Sequence, residues 1–430
     1  MFFILSLVGL ALACLGLSTF AKSRQPACDD AQFIGFQRSY LTVYLLAVGA
    51  DWLQGPHVYA LYQHYGMSKH QIEQLFIAGF GSSLVFGTFI GSLADKIGRK
   101  LNCFLYAVFY GIGCVTKHFG NFWILMSGRL LSGIATSILF SAFESWLVYE
   151  HNKRGFSDSQ LSIIFSQATF GNSVIAICAG VVAQGVADTF GYVAPFDVSL
   201  GVLCVMAVVI FKTWPENFGN KSVAFKSSLQ SGYKAIREDS NVLYLGLIQS
   251  LFEGTMYTFV IEWTPTLAAA SEASIPHGLI FAAFMIAVMI GSYVFSILTS
   301  YAEPESFMRF VLVTAALCFV APILLPGNLT AVFFSFIVFE ICVGIFWPAV
   351  GYLRGRYIKE ETRSTTMNFF RVPLNIIVIA ILCNDFSTII IFKCCVVFLA
   401  LASFMQYCLY ENTVGKTAPQ VIEKAPLPLN

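Results

Sequence analysis

Thirteen apolar runs, each of about twenty residues, follow one another along the chain, and this is the length that a helix needs to cross a membrane. Charged residues make up 11% of the 430 residues and apolar residues 57%, whereas soluble domains average about 25% charged residues. A soluble fold of this length would not hide so much apolar surface. The sequence therefore predicts an all-α membrane protein.

The first run, Phe2–Phe20, is long enough to span a bilayer. It lacks the basic start of a secretory signal peptide and is longer than the usual apolar part of one, so we favour a retained extra helix over a cleaved signal. We number the other twelve runs as segments 1 to 12. They cover residues 40–63, 72–93, 101–118, 122–148, 160–187, 193–212, 242–267, 277–299, 308–326, 329–352, 365–384 and 387–410.

The distribution of Lys and Arg predicts the orientation of these segments. Fifteen Lys and Arg residues lie at or after the ends of segments 2, 4, 6, 8 and 10, whereas the opposite side of the membrane has only Lys69, Lys117 and Lys393. By the positive-inside rule, the even-numbered segments end on the cytoplasmic side. The predicted parts are an N-terminal helix with a polar link (1–39), a six-helix bundle (40–212), a cytoplasmic linker (213–240), a second six-helix bundle (241–411) and a disordered cytoplasmic tail (412–430).

The loop between segments 2 and 3 reads GSLADKIGRK, with Gly91, Asp95, Gly98, Arg99 and Lys100 in it. Gly91 allows close helix packing, Gly98 allows a tight turn, and the basic residues favour the cytoplasmic side. This spacing resembles the G-x-L-x-D-x-x-G-R-K signature of the major facilitator superfamily. The resemblance implies two six-helix bundles in a pseudo-twofold arrangement, in addition to the extra N-terminal helix, and a gating role for these five residues.

Four acids lie inside apolar segments: Asp51 in segment 1, Glu144 in segment 4, Glu253 in segment 7 and Glu340 in segment 10. Each would cost about 2.5–3.5 kcal/mol at the bilayer centre, so they must face a cavity or one another. In the superfamily these four segments line the central cavity, and we expect the acids to serve in proton coupling. Glu144, near the end of its helix, is alternatively a capping or interfacial acid.

Arg129 and Gly133 in GRLLSG resemble an R-x-x-x-G element of the superfamily that is associated with proton coupling. An equally open interpretation is that Arg129 lies near a helix end and extends its charge to the interface.

Arg371 lies within segment 11 and shares a helix face with Asn368 and Asn375. A guanidinium fork suits an oxyanion, and two amides can add donors, so we expect a substrate-binding role. The alternative is an internal salt bridge to one of the acids. Gln54 and Tyr257, on the polar faces of segments 1 and 7, complete the candidate substrate-binding residues.

The stretches ADWLQGP, IQSLFEGTMYTFVIEWTP and NFFRVPLN resemble the eukaryotic molybdate-anion transporters, one branch of the superfamily. The resemblance covers nearly the whole chain. It implies import of molybdate by alternating access, and we expect a monomer in the plasma membrane. The acids must then be neutral or paired, because their negative charge would otherwise repel the oxyanion, and proton symport follows from that requirement.

Two other functions remain open at this point. Several carboxylates also suit a proton-coupled transporter of a cationic or neutral organic solute, and a third possibility is a membrane receptor or scaffold that transports nothing. The twelve cysteines have no metal-ligand spacing, and no nucleophile–base pair emerges, so we expect neither an enzyme nor a metal or other cofactor. The expected partners are an oxyanion, protons and the lipid bilayer, with no nucleic acid.

Overall fold

The computed structural model describes residues 2–24, 30–219, 225–271, 275–384 and 386–415. Every regular element in these ranges is a helix. The helices are α1 (Phe2–Arg24), α2 (Ala31–Gln54), α3 (Val58–His64), α4 (Lys69–Ile97), α5 (Arg99–Thr116), α6 (Phe122–Leu139), α7 (Ala142–Lys153), α8 (Asp158–Phe190), α9 (Ala194–Thr213), α10 (Phe225–Glu238), α11 (Ser240–Ala269), α12 (His277–Leu298), α13 (Pro304–Cys318), α14 (Val320–Leu324), α15 (Leu329–Tyr357), α16 (Arg363–Leu382) and α17 (Thr388–Tyr410), with single turns at Gly55–His57, Glu360–Thr362 and Glu411–Gly415.

Two six-helix bundles make up the molecule, which confirms the predicted fold. The N-half runs from α2 to α9 and the C-half from α11 to α17, and each half has its own apolar core. We call the boundary between them the seam. Helices α4, α7, α9, α12 and α15 all end at the same membrane face. We call it the basic face, because most Lys and Arg residues lie there. The other face is the opposite face.

Nine helical stretches of the described residues are long and apolar enough to cross a membrane by length and composition. The remaining long helices of the two bundles, α2, α4, α5 and α11, have 18 to 30 residues, which is also long enough to cross a membrane. Asp51 and Glu253 lie on two of them. A helix that turns a polar face toward its neighbours has a lower mean hydropathy than one that faces only lipid and core.

Two segments that the sequence predicts as single helices are broken. In segment 1, the turn Gly55–His57 separates α2 from α3, at the position of Pro56. In segment 4, Phe140 and Ser141 separate α6 from α7. The Ser141 hydroxyl donates to the Ser137 carbonyl at 2.6 Å, and such bonds bend membrane helices.

The linker after segment 6 is not only a polar loop, because it contains the amphipathic helix α10. Ile236 packs against the core of the C-half, and Gly232 lies so close to Thr365 of α16 that a side chain there would clash. The predicted disorder of the tail beyond residue 415 falls outside the described residues.

Helix α1 packs outside the C-half, against α12 and α15. The rings of Phe2 and Phe3 lie 5.5 and 5.2 Å from that of Phe333, and Cys14 packs against Met289 and Ile290. Because α15 begins at the opposite face, α1 begins there as well and runs toward the basic face.

Gly344→Leu is expected to destabilise the C-half, because α12 and α15 cross where Gly291 meets Gly344. A Cβ at Gly344 would lie 2.9 Å from the Gly291 Cα, and backbone atoms do not yield as a side chain does. Overpacking of this kind costs about 1–3 kcal/mol. Thermal unfolding of the purified protein in detergent measures the effect. Gly180→Leu is the matched control, since nothing lies within 4 Å of its Cβ position, and equal stability of the two variants would contradict the crossing.

Candidate functional site

The GSLADKIGRK loop forms the predicted tight turn between α4 and α5. Gly98 has a φ of 126°, a conformation that favours glycine, and its position leaves room for the Glu216 carboxylate. Glu216 accepts hydrogen bonds from the backbone nitrogens of Lys100 and Leu101 at 2.8 and 3.1 Å, which caps α5. Gly91 lies one turn before Asp95 in α4.

Asp95 and Arg99 join the two halves at the basic face. Arg99 pairs with Asp95 at 3.0 Å and with Glu360 of the C-half at 3.4 Å, and its guanidinium is completely buried. The second carboxylate oxygen of Asp95 accepts from the backbone nitrogen and the hydroxyl of Thr365, both at 3.1 Å. The turn is therefore fixed to the first residues of α16 across the seam.

A second ion pair crosses the seam between Glu144 of α7 and Arg354 of α15, through both carboxylate oxygens of Glu144. Arg354 is only 4% exposed. It lies just after the predicted end of segment 10, among the basic residues that the sequence assigns to the cytoplasmic loops. Its spacing from Trp347 and Gly351 puts Arg354 on the same helix face as Glu340, and this periodicity could have identified it as a residue of the polar face.

Contacts continue from Arg354 toward the membrane interior along α11. Arg354 Nη1 donates to Gln249 Oε1 at 2.9 Å, and Gln249 Nε2 donates to Glu253 Oε1 at 2.7 Å. The other oxygen of Glu253 lies 3.9 Å from Arg371 Nη1, and both side chains are almost fully buried. This ion pair corresponds to the internal salt bridge that the sequence left open as an alternative for Arg371.

Arg371 lies at the seam with unused hydrogen-bonding capacity. Its guanidinium carbon is 4.7 Å from the ring centre of Phe140 in the N-half. Among the described residues, neither its Nε nor its Nη1 has a hydrogen-bond partner. Buried donors in proteins are nearly always paired, so this arrangement is suited to an anionic ligand.

The neighbouring amides share the seam with Arg371. Asn375 Nδ2 lies 3.5 Å from the Ser83 hydroxyl of the N-half, and Asn368 Nδ2 donates to the Ser364 carbonyl at 3.0 Å. Their Oδ1 atoms have no partner in the described chain. An amide nitrogen carries two hydrogens, so each Asn keeps one donor beyond these contacts.

The other candidate substrate residues occupy different places. The Tyr257 side chain of α11 interacts with the Arg371 guanidinium, and its ring lies 5.8 Å from that of Phe80 across the seam. Gln54 turns into the N-half, where its amide donates to the Ser199 hydroxyl at 2.9 Å. The structure thus brings Tyr257, but not Gln54, to the seam.

Three of the predicted proton-coupling residues lie apart from the ion pairs described above. Asp51 accepts a hydrogen bond from the Tyr110 hydroxyl. Glu340 is 6% exposed and has no hydrogen bond or ion pair with the described part of the chain. Arg129 donates to the Leu75 carbonyl at 3.3 Å and lies over the Phe76 ring, with no carboxylate within ion-pair distance in the described ranges.

Lys117 is a buried residue at the end of segment 3 on the opposite face. It is 1% exposed, and its Nζ donates to the Tyr62 hydroxyl at 2.5 Å. This contact holds α3 against the end of α5. No group of three or more potential metal ligands occurs among the residues that the structure describes.

Comparison with solved structures identifies the class of protein that this fold defines. The E. coli fucose:proton symporter FucP superposes with a TM-score of 0.70 at 14% identity, covering 88% of this chain and 99% of FucP. The human organic anion transporter MFSD10 superposes with a TM-score of 0.70 at 12% identity, covering 90% and 100%. The fold is that of a major facilitator transporter.

Sequence comparison gives the family. A family model described as sugar transporters with 12 transmembrane segments matches residues 2–344. A molybdate-anion transporter of Xenopus tropicalis is 33% identical over 361 residues, which are 82% of this chain and 79% of that protein. One of Takifugu rubripes is 32% identical in an alignment 409 positions long, which covers 86% of this chain and 85% of that protein. The chain belongs to the major facilitator superfamily, in the family of these molybdate-anion transporters, and is a multi-pass membrane transporter.

Glu144→Gln is expected to loosen the seam at the basic face, because it leaves Arg354 buried without its carboxylate. Removing one partner of a buried ion pair costs about 3–5 kcal/mol. Ser145→Cys supplies a reporter, since Ser145 is fully buried and its Oγ lies 3.9 Å from Met367 Sδ of the C-half. A maleimide applied to the basic face should label this cysteine at least about tenfold faster in the Glu144→Gln background, since 1.4 kcal/mol already gives a factor of ten.

The matched control for this experiment is Glu238→Gln, which removes an exposed carboxylate of α10 that lies 3.6 Å from Lys234. It should leave the labelling rate unchanged. Equal rates in the Glu144→Gln and Glu238→Gln backgrounds would show that the Glu144–Arg354 pair does not hold the halves together.

Proposed function

We propose that this protein imports molybdate across the plasma membrane by alternating access, in symport with protons. The observation that carries the proposal is Arg371: a buried guanidinium at the seam, next to Asn368, Asn375 and Tyr257, with two nitrogens that have no hydrogen-bond partner among the described residues. A tetrahedral oxyanion accepts several charge-assisted hydrogen bonds at once, and a fixed guanidinium supplies them. The substrate named for the family members of Xenopus tropicalis and Takifugu rubripes has this chemistry.

Alternating access requires that the halves separate at one face while they stay joined at the other. The basic face, cytoplasmic by the positive-inside rule, carries the polar contacts of Asp95, Arg99 and Glu144 across the seam. While these contacts are formed, the halves are joined at the cytoplasmic face, and the protein admits substrate from the outside. Their release, with closure at the opposite face, would deliver the oxyanion to the cytoplasm.

Glu340 is the acid best placed to carry the proton. It is buried in α15 without a hydrogen-bonding or ionic partner among the described residues, and an unpaired buried carboxylate is costly, so it is held as the neutral acid. Asp51 and Glu253 each accept a hydrogen bond and Glu144 is paired with an arginine, so these three acids have partners of a kind that Glu340 lacks in the described chain.

Arg371→Ala is expected to reduce molybdate uptake by at least about tenfold while the protein still reaches the membrane. Each charge-assisted hydrogen bond is worth about 1.5–3 kcal/mol, and 1.4 kcal/mol is a factor of ten in affinity. Arg371→Lys keeps the charge without the fork and should recover part of the uptake. Uptake of radiolabelled molybdate, normalised to surface protein, measures the effect.

The matched control is Arg309→Ala, which removes a guanidinium that lies over the Phe310 and Tyr410 rings near the basic face. Its uptake should stay near that of the parent. Parental uptake by Arg371→Ala would refute the proposed substrate site.

Glu340→Gln is expected to abolish the stimulation of uptake by an acidic exterior, because glutamine cannot take up or release a proton. Exchange of labelled for unlabelled molybdate at equal pH should persist, since the uncharged side chain matches the protonated acid. Proteoliposomes with an imposed pH gradient separate the two activities. A gradient response equal to that of the parent would exclude Glu340 as the proton carrier.

A further inference from the structure

An unbroken chain of buried contacts leads from the N-half to Arg371. It consists of Glu144, Arg354, Gln249, Glu253 and Arg371, joined in that order, and we call these five residues the relay. We propose that Gln249 makes the ion pair between the two halves depend on whether Arg371 holds an oxyanion. This inference rests on the proposed function of Arg371 and adds the means by which that site controls the seam.

The contact between Glu253 and Arg371 is the weakest in the relay. Their closest atoms are 3.9 Å apart, which is too far for a hydrogen bond, and Nε and Nη1 of Arg371 have no hydrogen-bond partner in the described part of the chain. An oxyanion would approach these nitrogens to about 2.7–2.9 Å. It therefore replaces Glu253 as the nearest anion of Arg371, and its negative charge repels the carboxylate.

Glu253 then needs another cation, because it is 1% exposed and buried charges are paired in proteins. Arg354 is the other guanidinium of the relay and already lies within electrostatic range of Glu253. A turn of Arg354 toward Glu253 takes it away from Glu144. Since Glu144 is the one relay residue in the N-half, this exchange weakens the join between the halves.

The amide of Gln249 is suited to its place between the two charged groups. Its oxygen accepts from Arg354 at 2.9 Å while its nitrogen donates to Glu253 at 2.7 Å. An apolar side chain would make neither bond, and a carboxylate would bind Arg354 permanently and repel Glu253. Gln249 is thus a positioning residue. It holds the Arg354 guanidinium and the Glu253 carboxylate on either side of its amide, and it keeps them from forming a direct ion pair until Arg371 is occupied.

The test uses the full-length protein with the Ser145→Cys reporter and sodium molybdate as the ligand. In the parent reporter, saturating molybdate should raise the maleimide labelling rate by about fivefold or more, the lower end of typical couplings between sites. In Gln249→Met, which matches glutamine in length, molybdate should bind with an unchanged dissociation constant, but the labelling rate should no longer respond to it. A purely structural role for Gln249 would change both rates, with and without ligand, by the same factor.

Two further variants complete the design. Gln249→Asn keeps an amide that is too short to reach both neighbours and should lose the ligand response as well, so the result does not depend on one substitution. Gln406→Met alters another buried glutamine of the C-half, which donates to the Glu305 carbonyl at 3.0 Å, and should keep the response. A parental response in both Gln249 variants would overturn the relay while leaving the oxyanion site intact. Absence of molybdate binding to the parent would overturn the proposed function and the relay together.

Discussion

A guanidinium that is buried in a membrane protein needs a carboxylate, and Arg354 has its carboxylate in the other half of the molecule. The pair with Glu144 is buried, crosses the seam, and uses both oxygens of the acid. In the low dielectric of the interior, such a pair is expensive to break unless each partner is offered a replacement. In the proposed relay the two halves are joined by a contact that can be exchanged, with Glu253, one glutamine away, as the replacement partner of Arg354.

The same constraint explains how Arg371, the proposed oxyanion ligand, can lie buried at the seam without a bound anion. Glu253 compensates part of its charge from 3.9 Å, and the face of the Phe140 ring adds a weak cation–π contact from the N-half. Neither contact uses up the donors of the guanidinium. The site is thus stable enough to remain buried and incomplete enough to bind an anion, with the cost of desolvating the cation already met by folding.

Most of the fold could be predicted from the sequence, because apolar length and the distribution of basic residues follow directly from the membrane. The tight turn at Gly98 was predicted for the same kind of reason, since its backbone conformation favours glycine. The break between α6 and α7 was not predicted, because serines whose hydroxyls bond to the backbone of their own helix occur in straight and bent helices alike. Helix α10 was missed because its polar face dominates a short stretch, and its apolar face is explained only by the α16 surface on which it packs.

The candidate site was only partly predictable. Arg371 and Glu253 were expected to be functional because each is a charge inside an apolar segment, and the structure brings them together. Arg354 was counted as a loop residue and Lys117 as the end of segment 3, and basic residues at segment ends are usually exposed. Their burial depends on partners that are distant in sequence, Glu144 for one and Tyr62 for the other, and no local pattern identifies such partners.

The most direct test of the oxyanion site is a crystal structure with tungstate, an oxyanion of the same shape and charge as molybdate whose heavy atom is located by anomalous scattering. The predicted result is a single strong peak at the seam, with oxygens about 2.7–2.9 Å from the Arg371 guanidinium, and with Glu253 turned away from it. A peak at another cation, such as Lys117, with Arg371 still beside Glu253, would contradict the assignment of Arg371 as the substrate ligand.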